Sequence, residues 1–557
     1  MLLMNFKTKW YFIHCLLCGI LALLFSCSNK KQVDLIVYNA TVYTVDSAFS
    51  KAESFAIKDG KFIAVGTNEE IQRKFEAREG QLDAKGKTIY PGFIDSHCHF
   101  YGYGEGLQKV DLVGTKSFDE VIQRMIDFTK NNKVSWIIGR GWDQNDWDIK
   151  EFPDKTKLDE LFKDTPVLIY RVDGHAALAN TAALKLAGIS EKTKISGGAI
   201  ELKNNVLTGL LVDNAVDLVQ NVIPLPSKSE MKKALLDAQK NCFAVGLTTV
   251  DDAGLKKNII DMMDELQKSH ELKMRIYAML TDNKENMDYY LEHGKYKTDR
   301  LNVGSFKFYA DGALGSRGAC LLTSYADKKE QGFLLSKPEH FDSAAVRIYE
   351  KGFQMNTHCI GDSAVRFIQN LYYSVLSKNK EPERRWRIEH LQVTTPEDMK
   401  TISRLPKGSI IPSVQPTHAT SDMYWAKDRL GEERIKYAYA YNDLLKVAGV
   451  VALGTDFPVE NINPFYTFYA AVARMDLKGF PEKGFEVENA LSRKDALRGM
   501  TIWGAYANFE EKEKGSIEPG KFADFIILDE DIMKVELKKV PATKVIQTFV
   551  GGECVYE

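Results

Sequence analysis

The sequence predicts an α/β fold, a TIM-like (β/α)8 barrel carrying a small composite β-sandwich domain formed from both termini. Three observations predict it. Eight short apolar segments, most with a polar residue near the C-terminal end, alternate with helical stretches through the middle of the chain. Strand texture of period two appears at both ends, and one interval between the apolar segments is much longer than the rest.

The eight segments are GFIDSHCHF (92–100), GLTTVDDAG (246–254), KMRIYAML (273–280), VGSFKFYADG (303–312), FQMNTHCIG (353–361), RWRIEHLQ (385–392), SIIPSVQPTH (409–418) and VVALGTDFP (450–458). Eight strands separated by helices make a closed parallel barrel, and polar residues at their C-terminal ends mark the face where such barrels place active sites. The barrel is expected over 91–508, with the long first interval forming an insertion at about 101–240 over its mouth. At the N-terminal end, VDLIVYNATVYTVD and SFAIKDGKFIAVG alternate apolar and polar residues, with Asp59-Gly60 marking a tight hairpin. The texture returns in GSIEPGKFADFIILDED and VIQTFVGGECVYE, so 33–90 and 509–557 are expected to build one β-domain.

The chain has 557 residues and a net charge of −2, which excludes nucleic acid as a partner because phosphate binding needs a basic excess. With 44% hydrophobic and 27% charged residues it can bury a large core. Lys7 and Lys9 precede an apolar stretch from Trp10 to Phe25 that is short of the roughly 20 residues a spanning helix needs. Positions 1–26 therefore read as an export signal. Its ending, Leu24-Phe25-Ser26-Cys27, resembles a bacterial lipobox. That resemblance implies lipidation at Cys27 and anchoring to a cell-envelope membrane, periplasm-facing or at the surface; a plainly cleaved signal or an uncleaved anchor is the alternative. Cys98, Cys242, Cys320, Cys359 and Cys554 remain beyond it, too scattered for a disulfide framework. Oligomeric state leaves no mark in the sequence.

The chemistry lies at the strand ends. His97 and His99 are two apart, so on a strand both imidazoles project from one face. A lone histidine there would serve packing or hydrogen bonding. Here His358, His390 and Asp456 end the fifth, sixth and eighth segments and join them on one rim. Imidazoles with a carboxylate suit Zn²⁺ or a similar divalent ion. Asp95 either orients an imidazole from behind or is a buried carboxylate satisfied by backbone donors. The GYGEG stretch (102–106) lacks the Lys-Ser/Thr of a phosphate-binding loop and is assigned backbone flexibility only.

PGFIDSHCH, THCIGD, RIEH and GTDFPV together resemble the amidohydrolase superfamily of metal-dependent hydrolases. GRGWDQNDW (139–147), RVDGHAALANTAAL (171–184), KFYADGALGSRGA (307–319) and SVQPTH (413–418) are similar to the subgroup that includes N-substituted formamide deformylase. The resemblance implies one metal site held by His97, His99 and Asp456 and a second held by His358 and His390. It implies one or two divalent ions, zinc by the donor set, with a carbamylated Lys307 as the bridge where there are two. The alternative for Lys307 is an ordinary ammonium paired with Asp311 or Asp252 at a mononuclear site. Asp456 would shuttle the proton of an attacking water, and His418 either donates to the substrate or is structural. His175 and Arg317 either recognise polar parts of a small-molecule substrate or stabilise loops. Trp142 and Asp143, with Trp147, either cap the pocket or pack the insertion's own core. The activity so implied is hydrolysis of a carbon–nitrogen bond other than a peptide bond, in an amide, N-formyl or cyclic-amide substrate. An esterase or lactonase on the same barrel and a non-catalytic binding lipoprotein are the alternatives.

Overall fold

The structure, a computed structural model, describes residues 30–171, 176–195, 198–315, 317–377 and 384–557. The export signal, Cys27 and His175 lie outside these described residues.

Eight parallel strands form the barrel: β1 (Phe93–Cys98), β2 (Leu247–Leu255), β3 (Arg275–Thr281), β4 (Leu301–Tyr309), β5 (Gln354–Cys359), β6 (Trp386–His390), β7 (Ile410–Val414) and β8 (Ala452–Leu453). They lie side by side in chain order from β1 to β8. This confirms the barrel read from the sequence. The strand β8 is only two residues long, and closure against β1 passes to the backbone just beyond it. Asp456 N–H donates to the His97 carbonyl at 2.7 Å, and His99 N–H to the Phe457 carbonyl at 2.8 Å. Gly454 permits the approach, since a Cβ there would stand 2.5 Å from the His97 nitrogen.

Strands from both chain ends share one six-stranded sheet, ordered Glu553–Tyr556, Val545–Val550, Phe525–Leu528, Thr88–Pro91, Thr41–Tyr43 and Lys51–Ala52. A four-stranded sheet of Lys61–Gly66, Ser54–Lys58, Lys31–Tyr38 and Phe75–Asp83 accompanies it. Phe55, Phe62, Phe525 and Phe549 pack together in the core these strands share. The Asp59-Gly60 hairpin is present, both residues at positive φ (49° and 72°).

Between β1 and β2 the chain builds a second six-stranded sheet, ordered Gly198–Lys203, Val206–Asp213, Ala176–Ala179, Val167–Arg171, Ile137–Trp142 and Val110–Asp111. Separate apolar clusters include Trp142 and Trp147 in one and Leu168 and Ala177 in the other. The GYGEG stretch is not a flexible loop. It lies in the helix Phe100–Gly106, where Gly104 lets the backbone meet helix Lys228–Ala244; a Cβ there would fall 2.1 Å from the Ala234 carbonyl.

One buried ion pair ties the barrel to the terminal sheet. Arg275 on β3 meets Asp524 through Nε–Oδ2 at 2.6 Å and Nη2–Oδ1 at 2.9 Å. Burial works against the Asp524 charge, but Arg275 and the Gly551 N–H outweigh it and hold the carboxyl below its usual range. Arg275→Met should therefore cost about 3–5 kcal/mol in chemical denaturation, because the partner charge stays buried and unpaired. The folded-state pKa of Asp524 is depressed, so its contribution is full above the unfolded value of about 3.9 and fades as pH falls through the folded value. The stability gap between wild type and Asp524→Asn should thus narrow below about pH 4, as read from thermal unfolding across pH.

Candidate active site

Each candidate ligand is delivered to the C-terminal rim of the barrel by its own strand. His97 is the penultimate residue of β1, and His99 follows the strand's end at φ −120°, still turned to the same rim. His358 lies near the end of β5. His390 closes β6 at φ +69° and Asp456 follows β8 at φ +62°. Both adopt the left-handed region that non-glycine residues avoid, a local strain held in place by the surrounding structure.

These residues converge. Ligand atoms of His97, His390 and Asp456 all lie within 4.8 Å of one another. His99 Nε2 is 3.3 Å and His97 Nε2 3.7 Å from Asp456 Oδ1. The His358 and His390 ring centroids are 4.4 Å apart, and His97 and His390 4.9 Å. His418 stacks on His390 at 5.8 Å, with its Nε2 3.8 Å from Asp456 Oδ2. The Nε2 atoms of His358 and His418 are buried without a hydrogen-bond partner. Donor atoms left unsatisfied in this way, beside a carboxylate, fit a divalent cation.

Electrostatics keep the nitrogens available. Burial, then the Lys307 charge, pushes the His97 imidazole down to about 4 and that of His358 to about 3. Burial likewise holds His390 well below its usual value. Neutral imidazole is the form that ligates metal. For Asp456, burial opposes ionisation, but His99, His97, His390 and His418 around it prevail and hold the carboxyl well below the usual carboxylate range.

Behind the rim lies a second set of contacts that sequence reading missed. His97 Nδ1 is 2.5 Å from Glu389 Oε2. Glu389 in turn sits 2.8 Å from the Arg387 Nε, and Arg387 reaches Asp251, Ser413 and the Ser96 carbonyl, all fully buried. Burial alone would raise the Glu389 carboxyl; Arg387 and His97 pull it instead to about 2. His390 Nδ1 lies 2.8 Å from Gln415 Oε1. The signal was present in RIEH, since an Arg and a Glu two apart on an inward-facing strand demand buried partners.

The structure decides between several alternatives that the sequence leaves open. Trp142 does not cap the pocket. A bulge at Gly141 (φ +115°) shifts the register between Arg140 and Trp142 and turns the indole onto the Ile137 face of the insertion sheet. There it is fully buried, and its N–H donates to the Ile169 carbonyl. Asp143 pairs with Arg171 of the same sheet at 2.5 Å. Arg317 makes a bidentate pair with Asp327, at 2.7 and 3.2 Å, and so fastens its own loop. Asp95 accepts the N–H groups of His97 and Thr455 and the Thr455 hydroxyl, which is the backbone-satisfied alternative. Lys307 pairs with neither suggested acid. Asp311 is taken up by the N–H groups of Cys320, Ile360 and Gly361, and Asp252 by that of Tyr101. The Lys307 Nζ lies 3.1 Å from His97 Nε2, and among the described residues it forms no ion pair.

The sequence profile of the amidohydrolase family matches residues 81–556. The chain belongs to the amidohydrolase family. It is 33% identical over 540 residues to the protein LONG AFTER FAR-RED 3 of Arabidopsis thaliana, covering 94% of this chain and 91% of that one. It is 26% identical over 544 residues to the N-substituted formamide deformylase of Arthrobacter pascens, covering 94% and 98%. Among solved structures, an uncharacterized metal-dependent hydrolase from Pyrococcus horikoshii OT3 superposes with a TM-score of 0.77 at 29% identity, covering 90% of this chain and 99% of that one. An amidohydrolase-family protein with this His/His/Asp cluster is a hydrolase whose superfamily works with divalent metal.

Glu389 fixes the His97 ring from behind. Glu389→Gln should lower metal affinity by about 10–100-fold while the protein stays folded, as measured by chelator competition.

Proposed function

We propose that this amidohydrolase cleaves a carbon–nitrogen bond other than a peptide bond, in an amide, N-formyl or cyclic-amide small molecule, at a divalent metal site in the barrel mouth. The observation that carries the reading is the convergence of His97, His390 and Asp456 within 4.8 Å, beside the unpartnered His358 nitrogen. Preference for carbon–nitrogen over ester cleavage draws on the Arthrobacter relative, named for its action on N-substituted formamides.

His97, His99 and Asp456 would hold one ion, zinc by the chemistry of the donor set, and His358 and His390 a second. A divalent ion there supplies Lewis acidity, lowering the pKa of water towards neutrality and polarising the scissile carbonyl. Asp456, ionised and at the centre of the cluster, accepts the proton of the attacking water and returns it to the leaving nitrogen. His418, with a buried nitrogen unclaimed by the protein, addresses a polar group of the substrate.

Lys307 is fully buried, and burial pushes its amine down to about 8 against the pull of Glu389 and Asp456. With Asp311 and Asp252 committed to backbone donors, no carboxylate among the described residues stands at ion-pair distance from its nitrogen. Carbamylation by CO₂ resolves this, giving an anion with two oxygens able to bridge two sites. The sequence further supports export and lipid anchoring at Cys27; a Cys27→Ala variant should then leave the membrane fraction on cell fractionation.

Asp456→Asn should cut turnover by about 10²–10⁴-fold on the best substrate of a panel of amides, N-formyl amines and lactones, with most metal retained by elemental analysis. Chelation should abolish activity, and zinc, manganese or cobalt should restore it. Metal near two per chain supports the bridged site, near one removes the bridging role of Lys307, and no metal-dependent turnover on the whole panel defeats the reading.

A further inference from the structure

Lys307 and Tyr309 are two apart on β4 and so share the face that meets His97. Lys307 is 1% exposed and Tyr309 41% exposed, so the closed interior ends and the open mouth begins between them. The Tyr309 ring is fixed on two sides. Lys307 Nζ stands 4.7 Å from its centroid, and the His358 ring lies 5.5 Å away, on the residue paired with Tyr309 across the sheet. Across the rim, the hydroxyl lies over Gly254 at the end of β2, 3.6 Å from where a Cβ would stand. Gly254, at φ +90°, follows Ala253, whose carbonyl lies 3.0 Å from His99 Nδ1. The phenol therefore spans the rim from the His358 side to the His99 side. Among the described residues its O–H meets no hydrogen-bond partner, whereas the neighbouring acids Asp95, Asp252, Asp311 and Glu389 are each taken up by groups of the protein. A phenol is a neutral donor at physiological pH, and a donor unspent on the protein is available to substrate.

We propose that Tyr309 is a catalytic residue whose O–H donates to the substrate's carbonyl oxygen as that oxygen becomes an oxyanion. The assignment rests on the hydrolase reading given above. In the step concerned, water oxygen forms a bond to the carbonyl carbon, and the C=O π pair moves onto the carbonyl oxygen. Asp456 takes the water's proton. The Tyr309 O–H keeps its own proton and shares it with the new oxyanion. The pair then returns to carbon, the C–N bond breaks, and the nitrogen leaves with the proton from Asp456. A donor aimed at charge that exists only after attack lowers the barrier without tightening ground-state binding.

The discriminating variant is Tyr309→Phe, which keeps the ring between Lys307 and His358 and removes one oxygen. In zinc-loaded protein, kcat should fall by about 10²–10³-fold on the panel substrate that wild type hydrolyses, with KM little changed. Affinity for a phosphonamidate mimic of the tetrahedral adduct, by calorimetry, should fall by about the same factor. Metal content and thermal midpoint should stay at wild-type values. A Tyr309→Phe protein with wild-type kcat and wild-type phosphonamidate affinity overturns the assignment alone and leaves Tyr309 as an aromatic wall. Wild-type protein inert on the whole panel overturns the hydrolase reading and this assignment together.

Discussion

The rim depends on one buried cation. Arg387 is fully desolvated inside the barrel, and its guanidinium is shared between Asp251 below and Glu389 above. Asn508, from the last helical turns before the terminal sheet, donates to the far side of Asp251 at 2.6 Å. A charge so placed is tolerable only when every neighbour is in position, because the cost of an unpaired buried ion is several kcal/mol. The line Asn508–Asp251–Arg387–Glu389–His97 thus connects packing at the base of the barrel to the orientation of one imidazole at its mouth. Arg387 and His97 hold Glu389 ionised, and its acceptance from His97 Nδ1 directs the His97 Nε2 lone pair to the cluster.

Strand periodicity alone does not deliver the other ligands. On β6, the side chains facing the interior are Arg387 and Glu389, so the next residue, His390, would point away if the strand continued. Its positive φ turns it back, and Gln415, just past β7 at the head of the helix Pro416–Asp422, holds the ring from the other side. At Asp456 the turn is combined with barrel closure, for the same residue that offers its carboxylate also donates its N–H to His97. Ligand placement and closure of the cylinder are one constraint at this seam, and Gly454 is what lets the two backbones meet.

This explains what the sequence makes legible. Strand ends bearing His97, His358, His390 and Asp456 can be read because apolar runs and terminal polar residues survive in one dimension. The contacts behind them cannot be read so directly. Glu389 and Gln415 act on imidazoles 292 and 25 residues away, and their partners are set by the order of strands around the ring. Trp142 shows the opposite failure. Its place in a glycine-rich, aromatic motif suggests a pocket, but a single bulge at Gly141 decides which face the indole joins. Arg317 pairs with Asp327 ten residues on, closing its own loop, and Asp143 with Arg171 of the neighbouring strand, a pairing set by sheet order.

The loops then determine which side of the rim stays open. The turns after β5 and β6 are short, with helices beginning at Asp362 and Pro396, whereas the chain after β4 runs from 310 to 337 before its next helix. That excursion lies on the β5 turn, where Gly361 admits the Cys320 carbonyl, and then reaches the helix after β7. Gly315 packs on Trp425, and Asp327 is shared by Arg317 and Arg429. The two excursions therefore meet above the strands that carry His358 and His390. Exposure follows: the His358 and His418 side chains are 13% and 12% exposed, while that of His99 is 31%. A substrate approaching the cluster meets the His99 side first, where the Tyr309 hydroxyl and the end of β2 form the edge. The covered side is cross-linked through the Asp327 carboxylate, which two guanidinium groups hold.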